Sequence, residues 1–211
     1  MSVHSNRFTT FGEKNKHWTN IKKQVDTITD KLGMPIDSEI RELIVGLNIF
    51  KFTTTLSCYG HIRTNKERGL RKIIITPYVI ILAKSNKSIE TRLNIAQEKY
   101  KKAFTSKNES ETNLAYINYD KFMYTTSFPY YDSLTKLSDL LTSFYKNRSS
   151  PYRAILTLSG SPTEIKIRNA GYINQYFSNM TLNKTQLNEY QKEFIDFGEF
   201  LKKEYFSDTP K

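Results

Sequence analysis

The sequence predicts a single α+β domain, in which an α/β-like mixed sheet is packed by several amphipathic helices. Several segments space their apolar residues alternately three and four positions apart, which is typical of helices with one buried face. Short runs rich in β-branched and aromatic residues lie between these segments and indicate strands. A Gly160-Ser161-Pro162 turn separates two such runs and predicts a hairpin.

The first two elements are predicted to be helices. One ends at Gly33, and the next begins at Asp37, whose side chain suits an N-cap. The apolar faces are Trp18, Ile21, Val25, Ile28 and Leu32 in the first helix, and Ile40, Leu43, Ile44 and Leu47 in the second. Residues 1–14 are expected to form a flexible N-terminal arm, so the predicted domain covers residues 15–211.

The next segments are predicted to be strands. Residues 52–56 form a short strand that runs into a turn-like segment at 57–61, and residues 64–69 form an exposed loop. Residues 72–83 indicate one or two buried strands, with Pro77 at a bend or an edge.

Three more helices are predicted further along the chain. The first covers about residues 88–104. The other two have the apolar faces Leu134, Leu137, Leu141 and Phe144, and Leu187, Tyr190, Phe194, Phe197 and Leu201. Strands at 154–159 and 163–168 flank the Gly-Ser-Pro turn. The tyrosines between residues 116 and 131 suit either base stacking or half-buried packing, and their spacing leaves both alternatives open.

Composition excludes several classes of protein. The single cysteine, Cys58, excludes an intramolecular disulfide scaffold and suits a reducing compartment. The polar N-terminal residues lack the apolar segment of a signal peptide, and no apolar run approaches the ~20 residues of a membrane helix. A soluble, cytoplasmic protein with no membrane partner is therefore expected.

The charge of the chain is positive and unevenly distributed. The formal net charge is +11, and residues 62–102 contain eleven basic and three acidic residues, so this stretch supplies eight of those charges. Such a field attracts the phosphates of RNA, DNA or nucleotides. Solvated lysines in a lysine-rich composition are the alternative explanation.

The most motif-like segment lies immediately before this basic stretch. Within nine residues, 53–61, it combines three threonines, a serine, a thiol, a glycine and an imidazole. A glycine permits positive φ and the close approach of a ligand, and backbone N–H groups in such a turn form an anion nest. The candidate ligand-binding residues are Thr55, Ser57, Cys58, Gly60, His61 and Arg63, with Arg68, Arg71 and Lys72 as a basic patch.

Four interpretations of this segment remain open. The first is a phosphate or nucleotide pocket, with Arg63 as counter-charge. In the second, Cys58 and His61 form a nucleophile–base pair and are the candidate catalytic residues. In the third, the same two side chains bind a metal, but they supply only two ligands of a tetrahedral site, so no metal is assigned. The fourth is a structural turn with a buried cysteine.

Several short patterns in the chain carry a resemblance. They are Ile36-Asp37 at a helix start, Leu47-Asn48 near the helix end, Thr-x-x-Ser-Cys-x-Gly-His at residues 54–61, and Phe-x-x-Phe-x-x-Phe-Leu-x-x-x-Tyr-Phe at residues 194–206. Together they resemble a family of bacterial and phage-borne proteins of unknown function.

The helix followed by Thr-Thr-x-Ser-Cys-x-Gly is also distantly similar to the signature of the wybutosine-type tRNA methyltransferase family. That family modifies a guanosine of tRNA with S-adenosylmethionine. The resemblance implies that Ser57, Cys58 and Gly60 line a substrate or cofactor cleft, with S-adenosylmethionine as the cofactor. The signature ends in Gly-Arg, where this chain has Gly60-His61.

Three functions are therefore hypotheses. The first is binding of a phosphate-bearing ligand, a nucleotide or RNA, at the Ser-Cys-x-Gly-His turn. The second is an S-adenosylmethionine-dependent transferase that modifies tRNA or another RNA. The third is a non-catalytic phage or bacterial conflict protein that sequesters a signalling nucleotide or a protein partner. Whether the protein is an enzyme stays open.

Overall fold

The computed structural model describes residues 10–29, 33–65, 71–82, 95–99, 101–102, 105, 111, 114, 128–161, 164–172 and 182–207. The side chains at 63–65, 71–73, 128–130 and 161 are outside this set. Of the helix predicted at residues 88–104, the described residues 95–99 and 101–102 are helical, and the rest lies outside the described residues. The predicted tyrosine-rich segment lies outside them almost entirely.

The described residues form helices and strands, and the α+β class is confirmed. The helices are α1 (Phe11–Asp26), α2 (Arg41–Ile49), α3 (Phe128–Tyr145) and α4 (Lys184–Ser207). The strands are β1 (Thr53–Cys58), β2 (His61–Asn65), β3 (Arg71–Ile75), β4 (Tyr78–Leu82), β5 (Leu156–Ser161) and β6 (Glu164–Asn169). Short 3-10 turns at Ser38–Ile40 and Tyr152–Ala154 precede α2 and β5.

Helix α1 begins earlier than the arm boundary that the sequence predicts at residue 14. Thr10 and Glu13 form a capping box, in which each side chain hydrogen-bonds to the other residue's backbone N–H. The side chain of Lys14 is already buried. The boundary is therefore wrong, because capping by two polar residues starts the helix before its apolar face begins; residues 1–9 lie outside the described residues.

The main sheet has the order β1-β4-β6-β5, and all its pairings are antiparallel rather than mixed. Two residues separate β5 from β6, which is far too short for the crossover that parallel strands need. One face of the sheet is apolar and carries Val79, Ile81, Ile165 and Ile167. This face packs in one core with residues of α2 and α4.

Helices α2 and α4 cross at close range because each has a glycine at the crossing. A Cβ atom on Gly46 would lie 2.9 Å from the Cβ of Leu201, and one on Gly198 would lie 2.8 Å from the backbone nitrogen of Leu43. The crossing fixes α4 beside the end of β1, where Gln191 reaches the backbone of Gly60.

The strands β1 to β4 form one long ribbon with a break in it. Cys58 pairs with Tyr78 in the main sheet, and His61 pairs with Ile75 in a separate two-stranded sheet, so both parts keep the same register. The break lies at Tyr59-Gly60 and the facing Thr76-Pro77. Proline lacks the N–H that a ladder needs, and Gly60 has a φ of +88°. We call β2 and β3 the arm.

Candidate functional site

The predicted turn is the break in this ribbon, and Gly60 is buried there. A Cβ atom on Gly60 would lie 2.8 Å from Cδ of Pro77 and 2.9 Å from the carbonyl oxygen of Ile75. The facing strand therefore fills the space beside the Cα atom of Gly60. The ligand-binding role of Gly60 stays a prediction.

The backbone groups of the turn have partners within the protein. The N–H of Tyr59 donates to Oδ2 of Asp37 at 2.9 Å, and the N–H of Gly60 points at Sγ of Cys58 at 3.4 Å. Nε2 of Gln191 donates to the carbonyl oxygen of Gly60 at 2.9 Å. The N–H of Tyr59 is thus already bound to an anionic group, the Asp37 carboxylate, so the turn is not an open anion nest.

Cys58 and His61 do come together. Sγ of Cys58 lies 3.7 Å from Nδ1 of His61, and this cysteine is buried and in no disulfide within the chain. Nε2 of His61 is buried and has no hydrogen-bond partner among the described residues. The pair has the proximity that a thiol–imidazole couple requires, but no third side chain orients the imidazole in the described part of the chain.

The other candidate residues are divided between the two faces of the sheet. Ser57 pairs with Val79 and shares the core side, whereas Cys58 pairs with Tyr78 on the opposite side. Thr55 is exposed, and its hydroxyl donates to the carbonyl oxygen of Ile80 at 3.4 Å. The sequence predicts a turn at Ser57 and Cys58, but both residues lie in strand β1. Their side chains point to opposite faces of the sheet, because neighbouring residues of a strand alternate between the two faces.

Two residues of the predicted basic patch, Arg71 and Lys72, lie in the arm. Arg71 pairs with Asn65, and Lys72 pairs with Thr64 in the ladder between β2 and β3. The backbone of Arg63 lies in β2, and its side chain and those of Arg71 and Lys72 are outside the described set. Arg68 lies wholly outside the described residues.

The sheet face opposite the core carries a group of cations and rings that are not among the predicted site residues. Tyr78 lies between Cys58 and Arg168 in one row across β1, β4 and β6, and Lys166 lies in the next row. Nζ of Lys166 is 5.7 Å from the centroid of the Tyr78 ring, and Cζ of Arg168 is 4.4 Å from that of Tyr172. We call Tyr78, Lys166, Arg168 and Tyr172 the basic sheet face.

Among the described residues, no carboxylate neutralises the two cations of the basic sheet face. Neither Lys166 nor Arg168 forms an ion pair within the part of the chain that the structure describes, although Glu164 lies on the same strand. Nε of Arg168 is buried and has no hydrogen-bond partner there. Burial, and then the nearby Cys58, raises the pKa of the Tyr78 phenol. The face therefore offers positive charge beside aromatic rings.

A groove of about 910 Å³ lies elsewhere, between α3 and β5. At one end of it, Tyr145 donates a 2.9 Å hydrogen bond to the buried carboxylate of Glu193. Arg148 and Ser150 donate to the same carboxylate at 3.0 Å and 2.7 Å. Burial raises the pKa of Tyr145 far above its ordinary value, so the phenol stays protonated and remains a donor.

The sequence contains a signal for part of the basic sheet face. Lys166 and Arg168 alternate with Ile165 and Ile167, so both must lie on the side of the strand that does not face the core. Their pairing with Tyr78 depends on β4 lying beside β6, which no local pattern predicts. No sequence signal points to the contact of Arg168 with Tyr172.

The segments that carry the resemblance meet in one structural unit. Asp37 binds the N–H of Tyr59, and Asn48 bonds to both the carbonyl oxygen of Ile44 and the hydroxyl of Thr54. These side chains hold the end of α2, the start of β1 and the turn together. The family resemblances themselves stay predictions.

Clusters of three or more histidine, cysteine or acidic side chains able to hold a metal ion do not occur among the described residues. Within the same part of the chain, no helix combines the length and the apolar character that crossing a membrane requires. Comparison with protein-family models, with curated proteins and with solved structures finds no match.

Proposed function

We propose that the protein binds a phosphate-bearing ligand with an aromatic base, either a nucleotide or a short single-stranded RNA, on the basic sheet face. Lys166 and Arg168 bind phosphate, and the rings of Tyr78 and Tyr172 stack on bases. The observation that carries the proposal is the contact of two cations, which form no ion pair among the described residues, with two tyrosine rings on one side of the sheet.

Hydrogen bonding supports this location. A buried polar atom without a partner costs free energy, and native proteins leave few such atoms. Nε of Arg168 and Nε2 of His61 both lack a partner among the described residues. His61 contacts Cys58, which lies in the same row as Tyr78 and Arg168. A ligand phosphate or base along this row would supply the missing hydrogen bonds.

The combination of charge and rings favours a nucleotide or RNA over an inorganic anion. A guanidinium on a tyrosine ring is held flat and presents its N–H donors along one edge, a geometry that suits phosphate. Sheet-borne tyrosines stack on bases in single-stranded recognition. The net charge of +11 adds long-range attraction for polyanions. We also propose that the protein acts in the reducing cytoplasm, where its single cysteine stays reduced.

Fluorescence anisotropy with a labelled single-stranded RNA of about ten nucleotides at about 50 mM salt tests the proposal. We expect Lys166→Gln and Arg168→Gln each to weaken binding and to lower the salt slope by about one. Tyr78→Leu should weaken binding by about 1–3 kcal/mol, which is the stacking of one base, and leave the salt slope unchanged. Competition with ATP distinguishes a nucleotide site from an RNA site.

Lys23→Gln is the matched control, because it removes one positive charge from an exposed lysine of α1. Equal binding by Lys23→Gln, Arg168→Gln and Tyr78→Leu would overturn the proposal, since charge alone would then explain the affinity. Mass spectrometry of the ligand after incubation separates binding from the transferase hypothesis, which requires a chemically altered RNA.

A further inference from the structure

We propose that the groove between α3 and β5 binds an extended peptide, which adds to the sheet as a further strand beside β5. The peptide would alternate apolar and polar residues and carry an acidic group at its C-terminal end. The inference is independent of the proposed nucleotide site, because it concerns the opposite edge of the sheet from Cys58.

One backbone edge of β5 has no neighbour among the described strands. Strand β5 ends the order β1-β4-β6-β5, so only β6 pairs with it in the described part of the chain. The N–H of Ala170 donates to the carbonyl oxygen of Ile155 at 2.8 Å, which makes these two residues a hydrogen-bonded pair. Because such pairs alternate along antiparallel strands, the N–H and C=O groups of Leu156, Leu158 and Gly160 point away from β6.

A side chain already occupies the first of these outward positions. The N–H of Leu156 donates to the hydroxyl oxygen of Tyr145 at 2.8 Å, and that hydroxyl donates in turn to Glu193. The outward backbone groups of Leu158 and Gly160 have no partner among the described residues. A short stretch of ladder is therefore available to an incoming strand, and Tyr145 closes one end of it.

The groove beside this edge is apolar on the side of α3. Its lining includes Leu134 and Leu141 of α3 and Ile155 and Leu158 beside them. Leu134, Ile155 and Leu158 are half-buried, so they keep apolar surface in the groove. A strand added to β5 would point every second side chain at this surface, which explains the required alternation.

The charges of the groove define the peptide further. Among the described residues of the lining, Lys146 and Arg148 are charged and none is a carboxylate. Arg148 is engaged by Glu193 and Asp196, whereas Lys146 is exposed and forms no ion pair within the described residues. Tyr145, which precedes Lys146, binds the N–H of Leu156 and shares the Glu193 carboxylate with Arg148, so the cations belong to the Leu156 end of the groove. A peptide that runs antiparallel to β5 has its C-terminus at this end. An acidic C-terminal residue therefore complements Lys146.

Binding of a labelled peptide Thr-Val-Thr-Val-Thr-Val-Asp, measured by fluorescence anisotropy, tests the proposal. In a second version of the peptide the valine amides are N-methylated, and in a third version the threonine amides are N-methylated. Strand addition uses only every second peptide amide, so one version should lose about tenfold or more in affinity and the other should bind like the parent. Equal affinity of the two methylated versions would overturn the proposal.

A charge exchange tests the direction of the peptide without disturbing the fold, since Lys146 is exposed. Lys146→Glu should weaken the Asp-ending peptide and strengthen a version that ends in Lys. The matched variant Lys136→Glu, on the exposed side of α3 and outside the groove lining, should leave the preference unchanged. The proposal would be overturned if Lys146→Glu did not exchange the preference for the Asp-ending peptide with that for the Lys-ending peptide. It would also be overturned if sedimentation velocity showed a dimer that the peptide does not dissociate, because the edge of β5 would then pair with a second copy of the chain.

Discussion

Two clusters of polar groups differ in how many of their hydrogen bonds they make within the protein. At the end of α3, the buried carboxylate of Glu193 receives bonds from Tyr145, Arg148 and Ser150. On the basic sheet face, Nε of Arg168 has no hydrogen-bond partner among the described residues, and neither has Nε2 of the nearby His61. The hydrogen bonds of the first cluster are formed within the protein, whereas the second cluster keeps polar atoms that a ligand could bind.

The difference separates a structural role from a binding role. A satisfied buried network stabilises one arrangement of α3, α4 and β5, and it has little capacity left for a ligand. An unsatisfied group is costly in the free protein and becomes favourable only when a ligand supplies its hydrogen bond. We therefore expect substitutions in the first cluster to change stability, and those on the basic sheet face to change binding.

The largest expected effect is at Glu193. Glu193→Leu should lower the free energy of unfolding by about 3–5 kcal/mol, because Arg148 loses its buried partner and two hydroxyls lose their acceptor. Urea denaturation measures it. Glu189→Gln is the matched control on the same helix, since its ion pair with Arg153 is more exposed and should be worth at most about 1 kcal/mol. Similar losses in both variants would contradict the structural role.

The next largest effect is expected at Gly60. Gly60→Ala should lower the free energy of unfolding by about 2–4 kcal/mol, because positive φ and the contacts with Pro77 and Ile75 both oppose a Cβ. Gly33→Ala is the control. Gly33 also has a positive φ, but its Cβ would meet nothing within 4 Å, so only the backbone strain of about 1–2 kcal/mol applies. Equal losses would show that the space behind Gly60 is not filled.

A smaller effect depends on pH. Burial opposes ionisation of Asp196, but hydrogen bonds from Lys192 and Arg148 outweigh it and lower the pKa of the carboxyl below its ordinary value of 3.8. The unfolded chain then binds the proton more readily, so this stabilisation is complete above about pH 3.8 and is lost as the pH falls through the folded pKa.

Urea denaturation between about pH 5 and pH 2 measures this dependence. Asp196→Asn should flatten the decline in stability on the acid side, and Asp139→Asn, at an exposed residue of α3, is the control. An unchanged decline in Asp196→Asn would mean that the carboxyl gains nothing from its two cationic neighbours.

The smallest effect on stability is expected at Arg168. Arg168→Met should change the free energy of unfolding by less than about 1 kcal/mol, because it removes one cation–ring contact together with an unpartnered buried atom. Binding of the labelled RNA should nevertheless fall. A loss of stability comparable to that of Glu193→Leu would mean that Arg168 has a structural role like that of Glu193, and would contradict the assigned difference between the two clusters.

The sequence predicts most of the elements, because their signals are local. The spacing of Leu187, Tyr190 and Phe194 identifies α4, and the turn at Gly160 identifies the hairpin of β5 and β6. The site is predicted only in part. Cys58 and His61 are close in sequence and in space, but Gln191 and Arg168 reach this region through tertiary contacts that no local pattern encodes.

The misplaced residues have a physical explanation as well. A small, hydroxyl-rich segment ending in glycine suits a turn, and the sequence therefore assigns Ser57 and Cys58 to one. Pairing with β4 extends β1 through both residues, because ladder hydrogen bonds override the local preference.

The pairing of β4 with β6 has a consequence for the order of folding. The ribbon of β1 to β4 and the hairpin of β5 and β6 each close short loops, whereas β4 and β6 lie about eighty residues apart in the chain. Long loops close late, since the entropy of closure must be overcome before the contacts form. Tyr78 and Arg168 are paired residues of β4 and β6, so the proposed RNA site would be complete only after these two strands have paired. RNA binding would then measure the completion of folding and would stabilise its last step.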